Sequence, residues 1–379
     1  MFFAISKRPD PRFAHHEPLG SWVFSHDDGW KLEQGSWIKG YHHTQINHGL
    51  WTRLRLCDDT VYLEHSRYRG YPLWWDSQDQ VLTNLLGKGR SIWADVCVKL
   101  DHTGIHSSLA DVIGPIEQKS LSKNQVSEWL ANNLTSKIRA LQQDYTNCPV
   151  KLFVTGGTDT MLLWCALQAC AFEFELVDYE FFQYDWFTNH NIWGIKQQHW
   201  AYKQIHHWTE PTILVTGSQG DEFLFRGPET VALWCSWHDL NLLDLARVRP
   251  GYHTGYYLLE KNQKVFTRYW QERKQIQERL GSYQDLTQQI LNINANDHQH
   301  WHLGHTLTWS PFLDLEITKA VLNMSYDDVV DHILDASVSK LTMDLLYPGI
   351  SQSLLGFKNQ NSRRHLNNWV GAKIPSLFR

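Results

Sequence analysis

The chain has 379 residues, enough for two domains or one large one with a full core. Its 35 Lys and Arg against 40 Asp and Glu leave a net charge of −5, without the basic footprint of a nucleic-acid or acidic-membrane binder. No apolar run is long enough to cross a bilayer, and the amino end lacks the basic start and apolar stretch of a signal peptide.

In the first third, Thr60-Val-Tyr-Leu-Glu-His65 and Arg69-Gly-Tyr-Pro72-Leu-Trp-Trp75-Asp read as two strands joined by a turn. Residues 104–123 are weak in periodicity and hold Gly114-Pro115, which puts a boundary between about 110 and 125. A helix pattern runs from Asn124 to Gln143, with Val126, Trp129, Leu130, Leu134, Ile138 and Leu141 at helical spacing. Lys151-Leu-Phe-Val-Thr155-Gly156-Gly157-Thr158-Asp159-Thr160 follows: an apolar run fit for a buried strand, a double-glycine turn, and a helix over 159–170. Phe172-Glu-Phe-Glu-Leu-Val177 alternates like a strand. Thr212-Ile-Leu-Val-Thr216-Gly217-Ser218-Gln219-Gly220-Asp221-Glu222 then repeats the plan of strand, glycine-rich turn and acid.

Two glycines at a strand-to-helix junction let the backbone turn tightly and bring its N–H groups close to a ligand. Such a helix start with hydroxyl neighbours suits an anion, phosphate above all. The same string also serves as an ordinary turn in which Asp or Thr caps the helix. Asp159 would repel a phosphate unless a Mg²⁺ ion bridged the two. The missing Lys-Ser/Thr ending distinguishes the loop from a Walker A P-loop. In a parallel α/β sheet ligands collect beyond the carboxyl ends of the strands. Two such loops would therefore face one site, with Asp159 and Asp221 sharing a Mg²⁺–pyrophosphate unit.

Thr155-Gly-Gly-Thr-Asp-Thr160 resembles the Ser-Gly-Gly-x-Asp-Ser signature of the PP-loop ATP pyrophosphatases. Thr216-Gly-Ser-Gln-Gly-Asp-Glu222 resembles the second loop of the asparagine synthetase branch of that family. Ser310-Pro311-Phe312-Leu313-Asp314 is similar to that branch's Val-Pro-Phe-Leu-Asp segment. Ser339-Lys340-Leu341, Tyr347-Pro348 and Phe357-Lys358 resemble its terminal block. The resemblance implies an α/β fold, a PP-loop parallel sheet flanked by helices over 120–379. Before it, over 1–115, would stand a smaller β-rich domain of the Ntn-hydrolase kind, because the Thr60–Asp76 stretch is similar to a hairpin of the family's glutaminase half. Glutamine hydrolysis would be lost there, since Met1 is followed by Phe2 rather than the nucleophilic cysteine.

The implied activity is an AMP- and pyrophosphate-forming amide ligation. A substrate carboxylate attacks the α-phosphate of ATP, and ammonia or an amine then displaces AMP from the acyl-adenylate. Thr155, Gly156, Gly157, Thr158 and Thr160 would donate to the phosphates, and Gly217 would complete the loop pair. The backbone near Val177 would contact the adenine. Asp159 and Asp221 would hold Mg²⁺ with Glu222 near them, and Lys358 would act with Asp159 in catalysis as the point charge on the phosphates. Partners would be a small carboxylate and ammonia, an amine, or a separate glutaminase, with neither nucleic acid nor membrane. Two departures matter. Ser218 stands where the asparagine synthetases carry a glutamate and the lactam-forming relatives a tyrosine, and Gly356 stands where the former have arginine. The alternative is a nucleotide-binding interaction protein without catalysis.

Six cysteines without a Cys-x-x-Cys pair read as reduced thiols in a cytoplasmic setting. His298, His300, His302 and His305 cluster, yet the chain has 21 histidines and shows no matching carboxylate, so a polar helix is the simpler reading. The 19 tryptophans read as packing residues.

Overall fold

The computed structural model describes residues 3–43, 48–65, 73–84, 90–92, 97–108, 120–153, 158–177, 210–217, 220–226 and 306–350. The expectations that fall on Thr155, Gly156, Gly157, Ser218, the 298–305 histidines, Gly356 and Lys358 lie outside these residues.

Twelve described strands fill residues 3–108. β1 (Phe3–Ser6), β2 (His15–Leu19), β3 (Trp22–His26), β8 (Leu73–Asp76), β9 (Val81–Thr83) and β10 (Arg90–Ile92) form one antiparallel sheet in the order β10-β8-β9-β1-β3-β2. β4 (Lys31–Glu33), β5 (Ser36–His43), β6 (His48–Cys57), β7 (Thr60–His65), β11 (Cys97–Asp101) and β12 (Gly104–Ser108) form the other, in the order β12-β11-β7-β6-β5-β4. Phe3, Ile5 and Phe24 of one sheet share a core with Leu54, Val61, Leu63 and Val98 of the other. On β7, Val61, Leu63 and His65 are buried while their neighbours are half-buried, the period-two pattern of a strand with one face on a core.

Two sequence expectations are corrected here. β7 and β8 are both strands, but they lie in different sheets, so the chain crosses the sandwich between them instead of closing a hairpin. Gly104–Ser108 is strand, paired antiparallel to Cys97–Asp101, and the irregular stretch therefore starts later than 104. Gly104 sits at φ +128, a backbone conformation open to glycine at the end of that two-residue turn.

The α/β part begins with α1 (Lys123–Asp144), started by a capping box in which Ser122 and Gln125 satisfy each other's backbone amides. β13 (Val150–Phe153), β14 (Glu175–Val177), β15 (Thr212–Val215) and β16 (Thr306–Trp309) make a parallel sheet in the order β14-β13-β15-β16. α2 (Thr158–Ala169) follows β13, and α3 (Gly220–Phe223) follows β15. α4 (Leu315–Leu322), α5 (Tyr326–Asp335) and α6 (Ser337–Leu346) come after β16. Every residue of β15 is buried, as expected of a strand covered on both faces. Ile213 and Val215 face the core made with α1, α2 and α6, whereas Leu214 and Val177 belong to the core of the antiparallel sandwich. α2 is buried at every position from Thr160 to Leu167, so it is a central helix without a polar stripe.

Mixed α/β architecture, with antiparallel sheets ahead of a parallel four-stranded one, is thus observed. The strand expected over 172–177 is shorter, spanning Glu175–Val177. Among the described residues no helix is long and apolar enough to cross a membrane.

Candidate functional site

The order β14-β13-β15-β16 means that the chain leaves β13 for a neighbour on one side and returns through β15 on the other. Between β13 and β15 the direction of winding reverses. In open α/β sheets the carboxyl ends of the strands at such a reversal border a crevice, the usual ligand position. Both glycine-rich turns named in the sequence leave those two strand ends.

The described parts of the two turns touch. A Cβ built on Gly217 would stand 2.9 Å from the Thr160 amide nitrogen and 3.2 Å from its Oγ1. One built on Gly220 would stand 2.4 Å from Asp159 Cγ and 2.8 Å from its Oδ2. Position 220 therefore accepts the Asp159 carboxylate only as glycine. The Gly220 amide donates to the Gly217 carbonyl at 3.0 Å, which folds the second turn onto the start of α2.

Asp159 occupies the first turn of α2, where an acid is favoured by the helix dipole. Its Oδ1 is shut off from water and has no hydrogen-bond partner among the described residues. Burial, and then the neighbouring Asp221 charge, push its carboxyl well above the ordinary range, against the opposing pull of Arg226 and the Asp221 amide. Asp221 is about half exposed and pairs with Arg226 Nη1 at 3.1 Å. Thr160 is buried, Thr158 opens α2, and Val177 ends β14 in register with Phe153 at the end of β13. The side chain of Val177 packs into the sandwich core. Only its backbone is left for the crevice.

The second turn is held from behind. Thr318 Oγ1 on α4 donates to the Phe223 carbonyl at 2.9 Å. His332 on α5 lies 2.6 Å from the Leu224 carbonyl through Nε2 and accepts the Val338 amide at Nδ1 at 3.3 Å. These partners fix a neutral imidazole protonated on Nε2. Its pKa is pushed down to about 3 by burial, then by the charge of Arg226, despite the Leu224 bond. Phe223, Leu224 and Phe225 are fully buried.

Ser310-Pro-Phe-Leu-Asp314 links the sheet to α4. Asp314 caps α4 by accepting the Glu316 amide at 2.9 Å. Its Oδ2 lies 2.6 Å from Lys137 Nζ and 3.1 Å from Asn133 Nδ2, and Lys137 also donates to the Pro311 carbonyl at 2.8 Å. Burial raises the Asp314 carboxyl, but Lys137, the Glu316 amide and Asn133 outweigh it and hold it below the ordinary range. This segment is a structural tie between α1 and α4. Lys340, in the terminal block, pairs with Asp335 at 2.6 Å.

Sequence reasoning assigned no role to Arg226, Thr318, His332 or Lys137. A signal existed for Lys137, which falls three residues after Leu134 and four before Leu141, on the apolar stripe of α1. Arg226 stands five residues after Asp221, beyond the end of α3, so helical spacing gave no signal for their pairing. Among the described residues no group of three or more His, Cys, Asp and Glu forms a metal cluster. The donor set at the crevice is the pair Asp159 and Asp221, which suits Mg²⁺, since that ion is usually held by one or two carboxylates plus phosphate oxygens and water. The enclosed, unpartnered Oδ1 of Asp159 fits the same ion. No protein-family model matches the chain, and no curated protein sequence matches it.

Proposed function

We propose that the chain is an ATP-dependent ligase of the asparagine synthetase-like kind, forming AMP and pyrophosphate as it adenylates a carboxylate for amide formation. The observation that carries this reading is the contact of Gly220 with Asp159, which brings two carboxylates from two glycine-rich turns together at the reversal point of a parallel sheet.

Each residue then has a defined task. Asp159 and Asp221 would hold Mg²⁺, which when bound draws negative charge from the phosphate oxygens. The start of α2, with Thr158 and Thr160, directs backbone N–H groups and its positive dipole end toward the crevice. Thr155, Gly156, Gly157 and Gly217 are assigned the remaining phosphate contacts, and Lys358 the cation that meets charge developing on the phosphates. The backbone at Val177 is assigned the adenine edge. Thr318 and His332 act at a distance: by clamping two successive carbonyls they fix the turn that carries Asp221.

The reading is tested by pyrophosphate release from Mg-ATP, measured with aspartate and a panel of other carboxylates, with and without ammonia. Release that depends on one carboxylate and vanishes in Asp159→Ala and Asp221→Ala is expected. ATP binding without release across the panel would favour a nucleotide-binding protein that acts by interaction.

A further inference from the structure

Arg226 has no task in the scheme above, yet among the described residues it is the cation whose charge reaches both site carboxylates. Its position is closely determined. Phe225, fully buried, adopts left-handed backbone at φ +64, and the chain turns there so that the Arg226 amide returns to the Asp221 carbonyl. A bulky residue keeps such a conformation only where its surroundings over-determine it. Here the surroundings are the Thr318 and His332 clamps on the two preceding carbonyls. The fold thus delivers a guanidinium to the crevice.

That guanidinium is under-used. It carries five N–H donors in a planar fork suited to two oxygens of a carboxylate or phosphate. Among the described residues Asp221 is its one hydrogen-bond acceptor, reached through Nη1. Nε is shut off from water and has no partner among the described residues, and the side chain is 10 % exposed where Asp221 is 52 %. Burying a charged donor unsatisfied is unfavourable, and a single bond to a half-exposed carboxylate does not offset it. An arriving anionic oxygen would. It would also replace Asp221 as counter-charge once a divalent cation took that carboxylate.

We propose that Arg226 is a phosphate-binding residue held in reserve by Asp221. Without a divalent cation the guanidinium neutralises Asp221. When the cation draws Asp159 and Asp221 together, the guanidinium passes to an oxygen of the pyrophosphate unit. The exchange links metal loading to phosphate capture, and it rests on the metal–pyrophosphate reading of the site given above.

Two titrations of the full chain test it, Mn²⁺ alone and then inorganic pyrophosphate at saturating Mn²⁺. Arg226→Gln should bind Mn²⁺ about tenfold more tightly, because the competing charge on Asp221 is gone. The same variant should bind pyrophosphate at least about tenfold more weakly, because a charge-assisted contact is lost. Arg226→Lys, which keeps the charge and loses the fork, should hold Mn²⁺ near the parent value and lose part of the pyrophosphate affinity. Opposite signs in the two titrations distinguish the exchange from general damage. Weaker binding of both ligands, or no change in either, would overturn it. Dependence on Arg226 for aspartate instead of pyrophosphate would overturn the phosphate assignment. Should Arg226→Gln fail to fold, unchanged pyrophosphate affinity in Arg226→Lys would overturn the proposal by itself. A parent chain whose Mn²⁺ binding ignores Asp159→Asn would remove the metal reading as well, and that result is separate from any response at Arg226.

Discussion

Gly220 leaves the space that the Asp159 carboxylate fills: a Cβ there would come within 2.4 Å of Asp159 Cγ. Gly220→Ala should therefore displace Asp159 while the rest of the fold survives, at a cost of roughly 1–3 kcal/mol for overpacking. Mn²⁺ affinity should fall by at least about tenfold. Urea unfolding reads the first quantity and a Mn²⁺ titration the second. Parent-like Mn²⁺ binding in this variant would mean that Asp159 does not hold the metal.

Asp159 sits in surroundings that oppose its charge. Its folded pKa is raised above the unfolded value by burial and by Asp221, so its ionisation costs stability as pH rises from about 4 through the raised pKa. Asp159→Asn should accordingly be more stable than the parent at pH 7, by roughly 1–3 kcal/mol, while losing metal-dependent turnover. Thermal unfolding in EDTA at pH 7 and pH 4 checks the sign. The advantage of the variant should shrink at the lower pH, and a variant less stable than the parent at pH 7 would contradict the account.

His332 gives a pH dependence of its own. Its folded pKa, about 3, lies below the unfolded value near 6.5, so the unfolded chain binds the extra proton between them. Stability is full above about pH 6.5 and falls as pH drops toward the folded pKa. Between pH 7 and pH 5 this one residue should remove roughly 2 kcal/mol. His332→Leu lacks the titration, and the difference between parent and variant slopes in urea unfolding isolates it. Equal slopes would show that the imidazole is not held neutral.

Lys137 and Asp314 form a buried ion pair at 2.6 Å between α1 and α4. Lys137→Met leaves the carboxylate without its main counter-charge and should cost roughly 3–5 kcal/mol at pH 7. In the parent the Asp314 pKa is lowered, so its contribution is present above about pH 4 and is lost as pH falls through the folded value. With Lys137 gone, burial prevails and the dependence reverses. Relative to the parent, Lys137→Met should therefore lose stability as pH rises from about 4 to 7 in urea unfolding, and a difference that stays constant over that range would contradict the account. The double change Lys137→Met, Asp314→Leu should recover part of the loss.

The parts of the fold legible in the sequence are those set by local pattern. β15 at Thr212–Val215 follows from an unbroken apolar run, and α1 from apolar residues at helical spacing, its ends displaced by one residue from the 124–143 expectation. The second glycine turn was legible because tight backbone contact demands glycine, and Gly217 and Gly220 make that contact; Gly156-Gly157 lies outside the described residues. Partners distant in sequence were not legible. Nothing local says that β7 and β8 part into different sheets, because period-two alternation gives a strand its faces and leaves its neighbours unspecified. Lys137, Arg226 and His332 were missed for a related reason. Charged and polar side chains are mostly exposed, and each of these is buried by a tie to a residue far along the chain or by a backbone turn that no short motif announces.

Val177 and Leu214 project from the parallel sheet into the core of the antiparallel sandwich. Strands of a parallel sheet need cover on both sides, and here the first third of the chain supplies part of the second cover as α1, α2 and α6 supply the first. Residues 120–379 expressed alone would wet the strands whose ends carry both glycine turns. The sandwich thus shields one face of the sheet from whose strands the two aspartates follow.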